Sequence, residues 1–253
     1  MPSATHTATH RPASGQERPV PASIPPSVRL VVTIDGPAGT GKSSVARALA
    51  HTLGLDFLDT GAMYRAAAAI AIDRNIDLRD HDSIVGVVAE ADLHFDWTAD
   101  PPTILAWLKP IDARIRDEDV TGIVSDVAAI APLRTHMVRK QRIIAEQHPR
   151  LVTEGRDQGS IAFPDAAKKF YLDASPEIRA RRRAEQLRAA GRDADETALI
   201  ESIKRRDSLD GGRTEGPLVC PNDAERIDTS NLSFDEVVAA LRASVIDRVA
   251  ALG

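Results

Sequence analysis

Along the chain, apolar positions change period in a way that outlines an alternating fold. Val31 to Ile34 is an almost unbroken apolar run, as a buried strand requires. Val45, Leu49 and Leu53 then recur every four residues, and Ala46, Ala48 and Ala50 favour helix. Gly54 is a natural stop. Further strands are predicted at Asp56 to Leu58, Leu151 to Thr153, Lys169 to Leu172 and Arg226 to Asp228. Helices are predicted over 62–74, 81–91, 120–131, 132–147 and 196–206, with another opening at Ser175 and Pro176, a good N-cap and first helical residue. Ser233 and Glu236 have capping-box spacing, and Val237, Leu241 and Val245 mark the face of a last helix. Five parallel strands with helices between most of them predict a three-layer α/β sandwich, with ligands at the carboxyl ends of the strands.

One stretch breaks this rhythm. Leu93, Phe95 and Trp97 alternate with His94, Asp96 and Thr98, and Pro101 and Pro102 turn the chain toward a second short strand over 104–108. Such runs predict an antiparallel hairpin in an inserted subdomain. Residues 1–28 break it differently, with six prolines among Ser, Thr, Ala and His and no apolar signal core, and are read as a mobile tail.

Composition narrows the classes. The chain has 253 residues, 43% hydrophobic and 27% charged, ordinary for one globular domain with an insertion. Its net charge of -5 disfavours a general nucleic-acid binder. Cys220 is the only cysteine, so an intrachain disulfide is impossible and a reducing, cytoplasmic setting is expected. No apolar run reaches transmembrane length.

The chemistry begins after the first strand. Gly36, Pro37, Ala38, Gly39, Thr40, Gly41, Lys42 and Ser43 match G-x-x-x-x-G-K-[ST], the phosphate-binding loop. Glycines let successive N–H groups converge on an anion, Lys42 adds a point charge for the outer phosphates, and Ser43 offers a hydroxyl to Mg2+. The next helix directs its free N–H groups at the same place. A second focus is Glu154, Gly155, Arg156 and Asp157, directly after a predicted core strand. Glu154 is a candidate for a magnesium-bound water, Arg156 for a transferred phosphate and Asp157 for a base or hydroxyl; a charged surface turn is the plain alternative. Arg65 is either a solvated arginine or a phosphate contact, and Arg134 stands near a helix start. Most of the basic stretch Arg139, Lys140 and Arg142 reads as a solvated face. Arg179, Arg181, Arg182, Arg183, Arg188 and Arg192 suit a mobile cover over phosphates, with Gly191 and the Gly211–Gly212 pair as flexible boundaries, or an RNA patch. No [NT]-K-x-D guanine-reading motif stands late in the chain, and a motor would be larger; a small-molecule kinase fits the size.

Taken together, these motifs resemble those of the bacterial cytidylate kinase family, the CMP/dCMP kinases of the nucleoside monophosphate kinase group. The resemblance spans about residues 30–250. It rests on Ile34 to Ser44, Leu58-Asp59-Thr60-Gly61-Ala62-Met63-Tyr64-Arg65, Ile115-Arg116, Ser125-Asp126-Val127-Ala128, Glu154-Gly155-Arg156-Asp157, Phe163-Pro164-Asp165-Ala166, and Lys204-Arg205-Arg206-Asp207 before Asp210 and Arg213. It implies transfer of the γ-phosphoryl group of ATP to CMP or dCMP with Mg2+, by a cytoplasmic monomer. It also implies a core carrying a lid over about 176–192 and a monophosphate-binding insertion over about 87–148. Residues 36–44, including Ser44, would hold ATP, and Lys42, Arg156 and Arg213 would be catalytic. Ser125, Arg134 and Asp157 would read cytosine, and Thr60 would line the acceptor site. Arg206 and Asp210 would hold the sugar hydroxyls, and Arg65, Arg156 and Arg213 the acceptor phosphate. A UMP kinase, and in another class a nucleotide-regulated RNA-binding protein, are the alternatives. Two departures stand out. Gln158-Gly159-Ser160 replaces the usual apolar residue followed by Gly-Thr, and Trp107 to Ala113 replaces an Asn-Gly-Glu-Asp-Val-Ser turn.

Overall fold

The computed structural model describes Ile24 and residues 28–251. The rest of the expected tail lies outside the described residues. Ile24 itself is buried against the core, so the expectation of a mobile tail does not hold at that position.

Five strands form one parallel sheet: β1 (Leu30–Asp35), β2 (Asp56–Asp59), β6 (Arg150–Gly155), β7 (Lys168–Asp173) and β8 (Glu225–Asp228). Their spatial order is β2-β6-β1-β7-β8. The central strand, β1, is buried at every position, as the apolar run anticipated. Its side chains alternate between two cores. Leu30, Val32 and Ile34 point to one face, where α1 (Lys42–Leu53) and α8 (Phe234–Ala250) supply Val45, Leu49, Leu241 and Val245. Val31 points to the other, where α2 (Thr60–Asp73) presents Met63 and Ala66 to Ala69. These buried alanines leave α2 apolar almost all round, as suits a helix packed between the sheet and further structure. Pairing sets the site: Asp35 lies opposite Gly155 and Asp59 opposite Glu154, so three carboxylates share the carboxyl edge of the sheet.

The irregular stretch is a three-stranded antiparallel sheet of β3 (His94–Asp96), β4 (Thr103–Ala106) and β5 (Lys109–Pro110). It is followed by α4 (Glu118–Val127) and α5 (Ala131–Gln147), with α3 (His81–Glu90) before it. Phe95, Ile104, Val124, Leu133 and Met137 pack with α2 in one continuous apolar cluster. The second strand ends at Ala106 rather than near 108, because Trp107 and Leu108 turn the chain with φ of 48° and 62°. That backbone is unusual for large side chains. Trp107 packs under the Arg74 guanidinium, 4.7 Å from its ring centre.

Three other expectations change. The helix predicted to end at Arg206 continues as α7 (Glu196–Gly211), so Asp207 and Asp210 stand on it and Gly211 is helical rather than a flexible boundary. Their ion pairs, described below, face this last stretch toward the site. The basic stretch on α5 is not merely solvated: Lys140 pairs with Asp92, and Arg142 donates to the Ala162 and Ile161 carbonyls. On α6 (Pro176–Ala189), Arg179 is buried and Arg182 donates to Thr229, so these two arginines tie the helix to the core.

Candidate active site

The phosphate loop follows β1 without a break. Gly36 has φ of 146°, and a β-carbon there would collide with the Leu172 carbonyl of β7. Only glycine lets the loop leave the sheet so close to its neighbour. Thr40 Oγ1 donates to the Pro37 carbonyl at 3.1 Å and Lys42 Nζ to the same oxygen at 2.7 Å. The start of α1 has no capping side chain and no acidic residue in its first turn, which leaves its N–H groups for an anion. Burial, then Arg156, lowers the Lys42 pKa to about 7, against the pull of Glu154 and Asp35. Phosphate charge beside Lys42 would favour its ammonium form again. Ser44 stands exposed on the first turn.

At the carboxyl edge, Ser43 Oγ donates to Glu154 Oε1 at 2.7 Å. The hydroxyl gives away its proton and keeps lone pairs free, which suits a ligand to a hard cation. Asp59 caps α2 by accepting from the Ala62 N–H at 2.9 Å. Burial and the Glu154 charge push its pKa up. Among the described residues no group of three His, Cys, Asp or Glu side chains is arranged to hold a metal. The donor set fits magnesium, which takes few protein oxygens alongside substrate phosphates. Asp35 accepts from the Gln158 and Gly159 N–H groups at 2.9 and 2.7 Å, and burial raises its pKa to about 7.

Farther along the same edge, charge is built from side chains. Asp210 accepts from Arg156 Nε at 2.8 Å and from Arg213 at 2.6 Å. Although burial opposes ionisation, these arginines hold the Asp210 carboxyl below its ordinary range. Arg206 lies in the same group; burial and then Arg156, with Arg65 and Arg213, lower its pKa to about 10. Its Nε is buried without a partner. Arg65 donates to Thr121 Oγ1 at 3.2 Å, and burial lowers its pKa. Arg156, Arg206 and Arg213 gather around Asp210, an excess of positive charge that an incoming dianion would neutralise. Beside them Arg134 pairs with Asp157; both are buried, at 5% and 3% exposure. Arg134 also donates to the Ala128 carbonyl at 2.9 Å. Thr60 Oγ1 donates to the Glu154 carbonyl at 2.7 Å. Ser125 meets this group through its backbone carbonyl, 3.5 Å from Arg213.

On the other side of the loop lies a cavity of about 550 Å³, lined by Pro37, Tyr171, Ser175, Arg179, Asp207 and Ser230 among others. Arg179 donates to the Ala38 carbonyl at 3.0 Å and to Asp207 at 2.6 Å, which fixes the wall between cavity and loop. Sequence reasoning gave no role to Asp35, Asp59, Asp207 or this cavity. Asp35 and Asp59 each close an apolar strand, a signal that could have marked them. Asp207 and the cavity come from separate segments and left none.

The family model for cytidylate kinase matches residues 32–246. The chain is 43% identical over 218 residues to a protein named cytidylate kinase from Corynebacterium efficiens, covering 85% of this chain and 94% of that one. It is 44% identical over 210 residues to one of the same name from Methylococcus capsulatus, covering 82% and 93%. With one from Mycobacterium leprae the identity is 41% over 223 residues, covering 88% and 98%.

Proposed function

The chain belongs to the cytidylate kinase family, and from that premise we propose how its residues divide the reaction. It is an ATP-dependent kinase that transfers the γ-phosphoryl group to CMP or dCMP, giving ADP and the cytidine diphosphate. The loop 36–44 and the α1 N-terminus receive the ATP phosphates, and the cavity beyond Arg179 receives its nucleoside. Arg65, Arg156 and Arg213 hold the acceptor phosphate, while Arg206 and Asp210 hold the sugar hydroxyls. Ser125, Arg134 and Asp157 read the base, with Thr60 lining the site. In this reading the segment 87–148 carries the acceptor, and about 176–192 covers the donor as a lid anchored at its base by Arg179 and Arg182. In this reading it acts as a monomer in the cytoplasm, a reducing setting that suits the free thiol of Cys220. No helix among the described residues is long and apolar enough to cross a membrane.

The acceptor phosphate oxygen attacks the γ-phosphorus in line with the leaving oxygen. A phosphate dianion needs no strong base, so the residues act by positioning and by neutralising charge. Lys42 follows the charge that moves to the leaving oxygen; Arg156 and Arg213 hold the attacking group against its own repulsion from ATP. Ser43, with Glu154 accepting its proton, would hold magnesium, which supplies further neutralisation of the phosphate oxygens when bound.

The observation that carries this reading is the meeting of the phosphate loop, the arginines about Asp210 and the Arg134–Asp157 pair at one edge of the sheet. The test is ADP formation from ATP with CMP, dCMP, UMP, AMP and GMP in turn. CMP and dCMP are expected to lead. A lead by UMP would reassign the base site, and ATP use driven by RNA alone would overturn the reading.

A further inference from the structure

Asp35 is the last residue of β1 and stands directly before Gly36, where the phosphate loop begins. It is buried, and the division of labour above gives it no part. Its side chain reaches across to the segment that follows β6. Asp35 Oδ1 accepts from the Gln158 N–H at 2.9 Å, and Asp35 Oδ2 from the Gly159 N–H at 2.7 Å. Gln158 comes directly after Arg156 and Asp157, so these bonds hold the chain just beyond the groups assigned to the acceptor phosphate and base. Gly159 has no room for a side chain. A β-carbon there would stand 2.9 Å from Thr33 Oγ1 and 3.3 Å from Asp35 Oδ2, so the segment lies close against β1.

Each carboxylate oxygen takes one N–H, so the contact fixes tilt as well as distance. Both donors are main-chain groups, which cannot turn away as side chains can. Burial lifts the Asp35 pKa to about 7, against the Gly159 and Gln158 N–H groups, which favour its charged form; Asp157 adds to the rise and Lys42 opposes it. The other contacts described above act mostly within one side of the site. Thr40 and Lys42 hold to the loop's own backbone, while Arg156 and Asp157 pair with Asp210 and Arg134. Ser43 crosses to Glu154 through one rotatable hydroxyl. Asp35 crosses from the root of the phosphate loop through two fixed main-chain groups.

We propose that Asp35 is a positioning residue that sets Arg156 and Asp157 against the phosphate loop, and so aligns the attacking oxygen with the γ-phosphorus. It rests on the reading above, in which one side binds ATP and the other the monophosphate. Asp35 touches neither substrate in this assignment. In-line transfer tolerates little misplacement: a shift of about 1 Å can cost about 100-fold in rate. Loss of the brace leaves each side able to bind its own ligand, because the cradle and the arginine cluster are each held by their own contacts. What it loosens is the spacing between them.

The test is Asp35→Asn at about pH 8.5, where the wild-type carboxylate is ionised. Asparagine keeps the shape but turns an amide donor toward one of the two N–H groups. Calorimetry gives the dissociation constants, per folded molecule, of ATP, of CMP, and of adenosine and cytidine joined through a pentaphosphate; kcat is measured beside them. The variant is expected to bind ATP and CMP within about 3-fold of wild type, to bind the joined ligand about 10-fold more weakly, and to lose about 100-fold in kcat. A merely structural role would lower the unfolding midpoint and leave all three constants unchanged. That result, or an equal weakening of all three, would overturn the proposal. If Asp35→Asn does not fold, hydrogen exchange in the wild type decides. The Gln158 and Gly159 N–H groups are expected to be protected both in the free protein and with the joined ligand, and exchange of either at the rate of an unstructured peptide overturns the brace. A wild type that binds the joined ligand no more tightly than ATP alone removes the premise of adjoining donor and acceptor sites, and this proposal with it.

Discussion

The two sides of the proposed site, donor and acceptor, are built by opposite means. The donor side is one continuous stretch, 36–44, whose form depends on backbone: a glycine under the Leu172 carbonyl, a proline carbonyl holding Lys42 and Thr40, and an uncapped helix start. The acceptor side is made of long side chains from α2, α5, α7 and the loops after β6 and α7, held by one another. A phosphate chain common to every ATP can be met by a fixed cradle. An acceptor must be told from its relatives, and that needs directional groups from several directions. The difference also appears in the electrostatics. The donor loop ties Thr40 and Lys42 to its own backbone, whereas the acceptor side gathers Arg156, Arg206 and Arg213 around Asp210.

The contrast can be broken first at Lys42. Lys42→Ala is expected to lower kcat about 10³-fold with every acceptor alike, in a protein that keeps its far-UV circular dichroism. A change in acceptor preference would show that the two sides are not separable. On the acceptor side, Asp157→Ala and Arg134→Met are expected to do the reverse. Cytosine offers an amino donor and a ring acceptor, which match a carboxylate and a guanidinium; uracil reverses both. Wild-type kcat/KM should favour CMP over UMP by about 30-fold to several thousand-fold, and each variant should narrow that gap. An unchanged ratio in both would end the assignment.

Backbone dependence of the donor side predicts a stability effect. Gly36→Ala forces a β-carbon onto the Leu172 carbonyl and is expected to cost about 3 kcal/mol, read as a lower midpoint in urea unfolding. The smallest effect sharpens the contrast most. Arg206 is half-buried among like charges with its Nε unpartnered, so Arg206→Met is expected to stabilise the free protein by about 0.5–1 kcal/mol. The same change should raise the KM for CMP about 10-fold. A variant both less stable and less active would mean that Arg206 is already compensated before substrate arrives.

Much of this was legible in order along the chain. The strand, loop and helix at 31–53 follow from period and glycine placement, since each is decided by neighbours within a few residues. Capping at Ser175 and Ser233 and the stop at Gly54 were readable for the same reason. Less legible was the end of α7, which runs past Arg206 to the glycine pair, with Asp207 and Asp210 held in ion pairs to Arg179, Arg156 and Arg213. The turn at Trp107 and Leu108 was hidden too, as neither residue carries a turn preference.

By itself the sequence determined the alternating fold, the phosphate loop and, through its ordered motifs, the family. Only the tertiary structure decided which charges meet. Sheet register brings Asp35, Asp59 and Glu154 to one edge, and α7 carries Asp210 between Arg156 and Arg213. The same packing buries Gln158 against Gln141 and not at the surface. The physical reason is range. Backbone conformation answers to residues a few positions away, whereas burial and Coulomb energy depend on separations in space, which chain order does not contain.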